Sequence, residues 1–294
     1  MKNTWMRTAV LLILYALWLQ PTRAADTGTP QFKEELSKQE QIYQSRGEKV
    51  PDGYVIDRSL LSYTHTLPPA FGQSLASLDE KGRWLDIGAG RGQAVIDYFD
   101  PRYDRMNYNG QERPGRKAQA VAISIEDRRT EAWHQKAATL KANQMRYLFD
   151  KRLREYAPGE LGQFQVITDV LGGFSYSTDI TLFMERVLGM LEVNGSFFTV
   201  LQDVHAEDGK NKPYYEGASF LTELTNPAGA EVRLCAWLKS IACVKVTCEF
   251  KKGWKPPIEA YQVQKICNEV KVPALAPVHF EAGTPPERKF VLTN

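Results

Sequence analysis

The chain has 294 residues, 43% hydrophobic and 24% charged, which excludes a disordered tail, a collagen-like fibre and a coiled coil. Its length permits one large domain or two modest ones, either with a sizeable core. Thirty-seven Lys and Arg against 35 Asp and Glu leave a net charge of +2, so charge gives no argument for a nucleic-acid or anionic-membrane partner.

The N-terminus is divided in three. Lys2 and Arg7 form a positive head, Ala9 to Leu19 is an uninterrupted apolar run, and Thr22-Arg23-Ala24 places small residues at the −3 and −1 positions before a cut. That is the pattern of a cleaved export signal over residues 1–24. The apolar run falls well short of the roughly 20 residues needed to span a bilayer. An uncleaved anchor or an ordinary buried helix is the alternative. Cleavage after Ala24 removes three positive charges (Lys2, Arg7, Arg23) and no acids, so the mature chain is close to neutral. The expectation is a periplasmic or secreted protein with no stable membrane anchor after cleavage.

Residues 25–75 form a helical or irregular cover, polar over 25–50 and mixed with Gly, Pro and Tyr over 50–69. From Arg83 the pattern changes. Arg83–Gly88, Ala118–Ile125, Met145–Phe149, Phe164–Asp169 and Ser196–Leu201 read as buried strands. Gln93–Phe99, Arg128–Asn143 and Asp179–Leu191 read as helices between them, the last closed by Asn194-Gly195 as a C-cap. Strands alternating with helices predict a parallel sheet with helices on both faces. This core spans 76–203.

Residues 204–294 carry a different texture. Phe220–Thr225 and Val232–Ile241 have helical spacing, Cys243–Phe250 alternates like a strand, and His279–Thr293 holds a Gly-Thr-Pro-Pro turn between two extended pieces. A strand pair completing the sheet is the simpler reading; a small separate lobe is the other. All four cysteines lie here, with no C-x-x-C pair, so no zinc site or other metal is expected. A helix from Cys235 to Cys243 separates their Cα atoms by about 12 Å. A strand from Cys243 to Cys248 separates its ends by about 17 Å. Both exceed the reach of a disulfide, about 7 Å. Cys235–Cys248 with Cys243–Cys267 remains, against the alternative of four buried thiols.

The strongest local signal is Leu85-Asp86-Ile87-Gly88-Ala89-Gly90-Arg91-Gly92 at a strand-to-helix junction. Glycines let the main chain turn sharply and approach a ligand. The dinucleotide pattern needs Gly at its sixth place, where Gln93 stands, and the phosphate-gripping Lys of a P-loop is missing. No G-x-S-x-G elbow occurs, which weighs against an α/β hydrolase.

An acid followed by G-x-G-x-G after the first strand resembles the first motif of the class I S-adenosylmethionine (SAM)-dependent methyltransferases. The resemblance covers about residues 76–203. It implies an α/β, Rossmann-like, doubly wound and mostly parallel sheet with a reversed C-terminal hairpin, and SAM as cofactor. It places Asp86, Gly88, Ala89, Gly90 and Gly92 around the methionine and adenosine parts, with the acid facing the cationic amino group. At the end of the second strand Ser124 stands where the family has its ribose-binding acid, and Glu126 follows two residues later. Asp150 falls near the adenine place, and Asp169 ends the fourth strand.

Methyl transfer is an in-line displacement for which the protein supplies proximity, orientation and sometimes a base. Asp169 and His205, both at strand ends, are the candidate catalytic bases. Phe174 and Tyr176 follow paired glycines, where they would close over donor or acceptor. The family's members that methylate amino groups of bases or glutamine carry Pro-Pro and an aromatic after the fourth-strand acid. Asp169-Val-Leu-Gly-Gly-Phe174 lacks the prolines, so a small-molecule, lipid or protein acceptor is expected and nucleic acid is not. SAM is made inside cells, and an exported enzyme needs a supply outside. An exported, non-catalytic binding protein on the same fold is therefore the competing reading.

Overall fold

Parallel strands buried on both faces are near-continuous apolar runs, because neither face meets water. The strand β1 (Arg83–Ile87) shows this, with Trp84, Leu85, Asp86 and Ile87 all buried. The computed structural model describes residues 58–101, 114–177, 179–202, 223–251, 258–276, 278–281 and 287–290. The expected export signal, most of the expected cover and His205 lie outside them.

The elements run α1 (Leu60–Thr66), α2 (Ala70–Ala76), β1, α3 (Gln93–Tyr98), β2 (Gln119–Ile123), α4 (Glu131–Ala138), β3 (Met145–Leu148), β4 (Phe164–Val170), α5 (Gly173–Tyr176), α6 (Ile180–Met190), β5 (Leu191–Gln202), β6 (Glu223–Thr225), β7 (Glu231–Arg233), α7 (Leu234–Ser240), β8 (Val244–Lys251), β9 (Ile258–Lys265), β10 (Val278–Glu281) and β11 (Glu287–Phe290). One seven-stranded sheet has the order β3-β2-β1-β4-β5-β9-β8. The first five strands are parallel. β9 runs antiparallel to β5, and β8 antiparallel to β9. This is the expected Rossmann-like, doubly wound and mostly parallel sheet, with a reversed C-terminal hairpin.

Alternation along the strands divides the core in two. Trp84, Ala120, Ala122, Val166, Phe198 and Ala260 pack with α1 to α4 on one face. Leu85, Ile87, Val121, Ile167, Phe197 and Tyr261 pack with α6 and α7 on the other. The helix α1 is held at both ends. Leu60 N–H donates to Asp97 Oδ2 of α3 at 2.9 Å, and Lys251 Nζ of β8 donates to the carbonyls of His65 and Leu67 at 2.9 and 3.1 Å. A cation at the last carbonyls of a helix satisfies acceptors that have no partner inside it.

Several expectations are corrected. α6 ends at Met190, and Asn194-Gly195 lies inside β5 instead of capping the helix. Asn194 still takes a left-handed conformation (φ 71°), near an irregularity in the pairing of β4 with β5. Glu223–Thr225 is a strand, paired with Glu231–Arg233, where helical spacing was read. The hairpin that completes the sheet is β8–β9. The pieces around residues 278–290 pair with each other in a sheet of their own.

Cys235 is bonded to Cys248 and Cys243 to Cys267, with Cα separations of 6.2 and 5.1 Å. One bridge ties α7 to β8. The other ties the entry of β8 to the exit of β9, so the edge of the sheet is stapled at two points. Among the described residues no helix is long and apolar enough to cross a membrane.

Candidate cofactor site

Open α/β sheets bind ligands at the carboxyl ends of their strands, where the connections part. Here the end of β1 passes into Gly88-Ala89-Gly90-Arg91-Gly92 before α3. Gly88, Gly90 and Gly92 all have left-handed φ, 67°, 58° and 81°. The N–H groups of Gly88 and Ala89 donate to Ile123 O at the end of β2, at 3.0 and 3.1 Å. Two of the glycines answer internal contacts. A Cβ on Gly88 would lie 2.8 Å from Gly172 Cα, so the turns after β1 and β4 approach backbone to backbone. A Cβ on Gly92 would lie 2.4 Å from the Trp133 ring of α4.

Asp86 is wholly buried, on the α1 side of the sheet. Thr168 Oγ1, its register partner on β4, donates to Asp86 Oδ1 at 2.7 Å. Trp84 Nε1 donates to Thr168 Oγ1 at 2.8 Å, which leaves the threonine's own proton for Asp86. From above, Tyr63 Oη of α1 donates to both carboxylate oxygens at 3.1 Å. Burial pushes the Asp86 carboxyl up to about 7, against the lowering effect of the Thr168 and Tyr63 hydrogen bonds.

Asp169 is also wholly buried, and strand alternation puts it on the opposite face. Its oxygens accept the main-chain N–H groups of Gly172 and Phe174, each at 2.9 Å. Burial raises this carboxyl too, to about 7, with those N–H bonds pulling the other way. Asp169 thus caps the turn after β4 and is not presented to a ligand as a base. Phe174 is a second correction. Its ring is fully buried against Phe183 and Phe197, at centroid distances of 5.3 and 6.2 Å, and packs the core instead of covering a ligand. Tyr176 ends the short α5 beside it.

The other predicted residues lie along the same edge. Ser124 N–H donates to Leu148 O at 3.0 Å, at the ends of β2 and β3. Glu126 is half-buried and accepts from Arg128 Nη2 at 2.6 Å. Asp150 is exposed, just past β3. Tyr147 of β3 joins these pieces. Its hydroxyl donates to Gly90 O, and it also lies 3.4 Å from Glu126 O. Its ring meets Trp133 edge-on at 5.2 Å. A cleft of about 520 Å³ lined by Glu185, Leu188, Lys265 and Lys271 opens at the other edge of the sheet. There Lys265 Nζ is engaged by the carbonyls of Leu188 and Leu191, so this cleft is no part of the site.

Tyr63, Tyr147, Trp133 and Thr168 were not legible as site residues. Thr168 had a weak signal, as a hydroxyl inside the apolar run Phe164–Val170.

No family model and no curated protein matches the chain. Solved structures do resemble it. The Burkholderia thailandensis 1,6-didemethyltoxoflavin-N1-methyltransferase with bound 1,6-didemethyltoxoflavin and S-adenosylhomocysteine is 15% identical, with a TM-score of 0.43, over 82% of this chain and 92% of that one. A glycopeptide N-methyltransferase complexed with SAM is 14% identical, with a TM-score of 0.43, over 74% and 100%. An rRNA methylase from Streptococcus thermophilus is 10% identical, with a TM-score of 0.40, over 72% and 100%. Strand order and the glycine turn, not these distant likenesses, carry the fold assignment.

The two buried acids give a pH prediction. Their folded values lie above the ordinary carboxylate range, so between about pH 4 and 7 the folded chain binds more protons than the unfolded one. Their contribution to stability is therefore present at low pH and is lost as pH rises through about 7. Urea denaturation should show the protein less stable at pH 8 than at pH 5.5, and Asp86→Asn should reduce that difference. A pH-independent midpoint would contradict this.

Proposed function

We propose that this chain is a SAM-dependent methyltransferase acting on a small-molecule, lipid or protein acceptor. The observation that carries the reading is the buried acid followed by three left-handed glycines at the end of the central strand β1, within a β3-β2-β1-β4-β5 order closed by a reversed pair.

The residues present suit such a cofactor. Gly88 is exposed at the strand end, so its main chain is open to approach. Asp86 accepts from two hydroxyl donors. An ionised carboxylate has about four acceptor sites, so capacity for an ammonium group remains. Glu126 and Asp150 lie just past the ends of β2 and β3, on the side where ribose and adenine contacts are proposed. SAM, where bound, would supply an activated methyl group on a sulfonium for an acceptor nucleophile, with S-adenosylhomocysteine as the leaving group and the acceptor's proton released. The chain's own part is to bind, orient and exclude water. The near-neutral charge supports an acceptor other than nucleic acid.

A second reading, an exported binding protein without turnover, is favoured by the end of β2. Ser124 replaces the expected acid, and Glu126 is already engaged by Arg128. Export itself is supported by two disulfides, which persist in oxidising compartments.

Calorimetry of the purified chain should show binding of both SAM and S-adenosylhomocysteine, weakened at least tenfold (~1.4 kcal/mol) by Asp86→Ala. No heat and no thermal shift would remove the cofactor assignment. Binding without turnover on a broad acceptor panel would favour the second reading. Mass spectrometry of the protein from its native compartment should show a mature N-terminus beginning at Ala25; an intact Met1 would overturn the cleaved signal.

A further inference from the structure

We propose that Tyr63 is a positioning residue of the cofactor site, its hydroxyl orienting the Asp86 carboxylate toward the cofactor's ammonium group, so that α1 is part of the site and not merely a cover. The inference rests on the cofactor reading above and deepens it.

The first support is geometric. Tyr63 reaches across from α1 and shares its proton between the two oxygens of Asp86, at 3.1 Å each. A shared bond of this kind fills neither oxygen. It fixes the plane of the carboxylate; Oδ1 also takes the Thr168 hydroxyl, and Oδ2 keeps an acceptor position for a further donor. Thr168 fixes the same group from β4, and its donor direction is set by Trp84. Asp86 is therefore held between a hydroxyl from the sheet and a hydroxyl from the N-terminal helix.

The second support is rigidity. Tyr63 is 3% exposed, and its ring leans on Phe71 at 6.2 Å, which in turn meets Phe198 of β5 edge-on at 5.5 Å. With both ends of α1 bonded to Asp97 and Lys251, the hydroxyl is placed by the packed core.

The third support is electrostatic. A wholly buried carboxylate retains its charge only when donors compensate for lost water. The groups acting on Asp86 are the Tyr63 and Thr168 hydroxyls and Arg58, which favour the charge, and Asp169, which opposes it. Burial also keeps the Tyr63 phenol protonated far above neutral pH, so it remains a donor throughout the working range. Removing the hydroxyl leaves Asp86 with one side-chain donor fewer and moves its protonation to higher pH. A neutral acid does not hold an ammonium group.

The test is calorimetry with S-adenosylhomocysteine from pH 5.5 to 8.5, on the wild-type chain, Tyr63→Phe and Thr168→Val. Wild-type affinity should fall as pH drops through about 7. Tyr63→Phe keeps the ring and its Phe71 contact. Its pH profile should move up by about one unit, with roughly fivefold weaker binding at pH 7 and recovery towards wild type at pH 8.5. Thr168→Val, on a different element, should move the profile in the same direction. Affinity lowered equally at every pH would mean that Tyr63 serves packing alone, and an unchanged profile would show that it does not act on Asp86; either overturns the proposal. A wild-type chain that binds nothing at any pH would instead remove the cofactor reading, and this inference with it.

Discussion

Two adjacent parallel strands each bury a carboxylate at their carboxyl ends, and the rest of the site is arranged around satisfying them. A charge taken out of water must find donors or give up its ionised form. Asp86 finds side-chain hydroxyls, from Thr168 beside it and from Tyr63 above it. Asp169 finds main-chain N–H groups in the turn that follows it. The second solution shapes the backbone, since it folds Gly172 back until a Cβ there would sit 2.7 Å from Ile87 O. The first recruits an element from outside the sheet. Similar residues at equivalent strand ends therefore do different work: one holds a turn closed, and the other is held ready by its neighbours.

That division explains what was legible in the sequence. The acid and glycines at 86–92 name a strand-to-helix turn at once, because each glycine there takes a conformation that other residues resist. The apolar runs of β1, β2 and β4 stand out for the same physical reason, being buried on both faces. By contrast β9 was missed: Ile258–Lys265 mixes buried and half-buried positions, with Glu and Gln among them, and breaks up the apolar signal. Asn194-Gly195 resembled a helix stop because a left-handed Asn serves a strand irregularity as well as a C-cap. The cysteine pairing followed from reach alone, since helix and strand spacings leave few partners within disulfide distance. Tyr63 had no local signature, because its role is set by a carboxylate 23 residues away.

The C-terminal part has a related logic. β8 is the edge of the sheet, and an edge strand presents unpaired main-chain groups. Two disulfides fix this edge to α7 and to the end of β9. Lys251, at its last residue, reaches back to cap α1. The stapled edge and the helix carrying Tyr63 are thus in direct contact, and what stabilises one supports the other.

The central claim is that the carboxyl edge of β1 to β3 is a cofactor site whose acid is Asp86. A crystal structure grown with S-adenosylhomocysteine tests it most directly. The account predicts density along the main chain of Gly88 to Gly90, with the amino end towards Asp86 and Tyr63 and the ribose towards Glu126. Well-ordered ligand bound elsewhere, or this edge empty at saturating ligand, would contradict it.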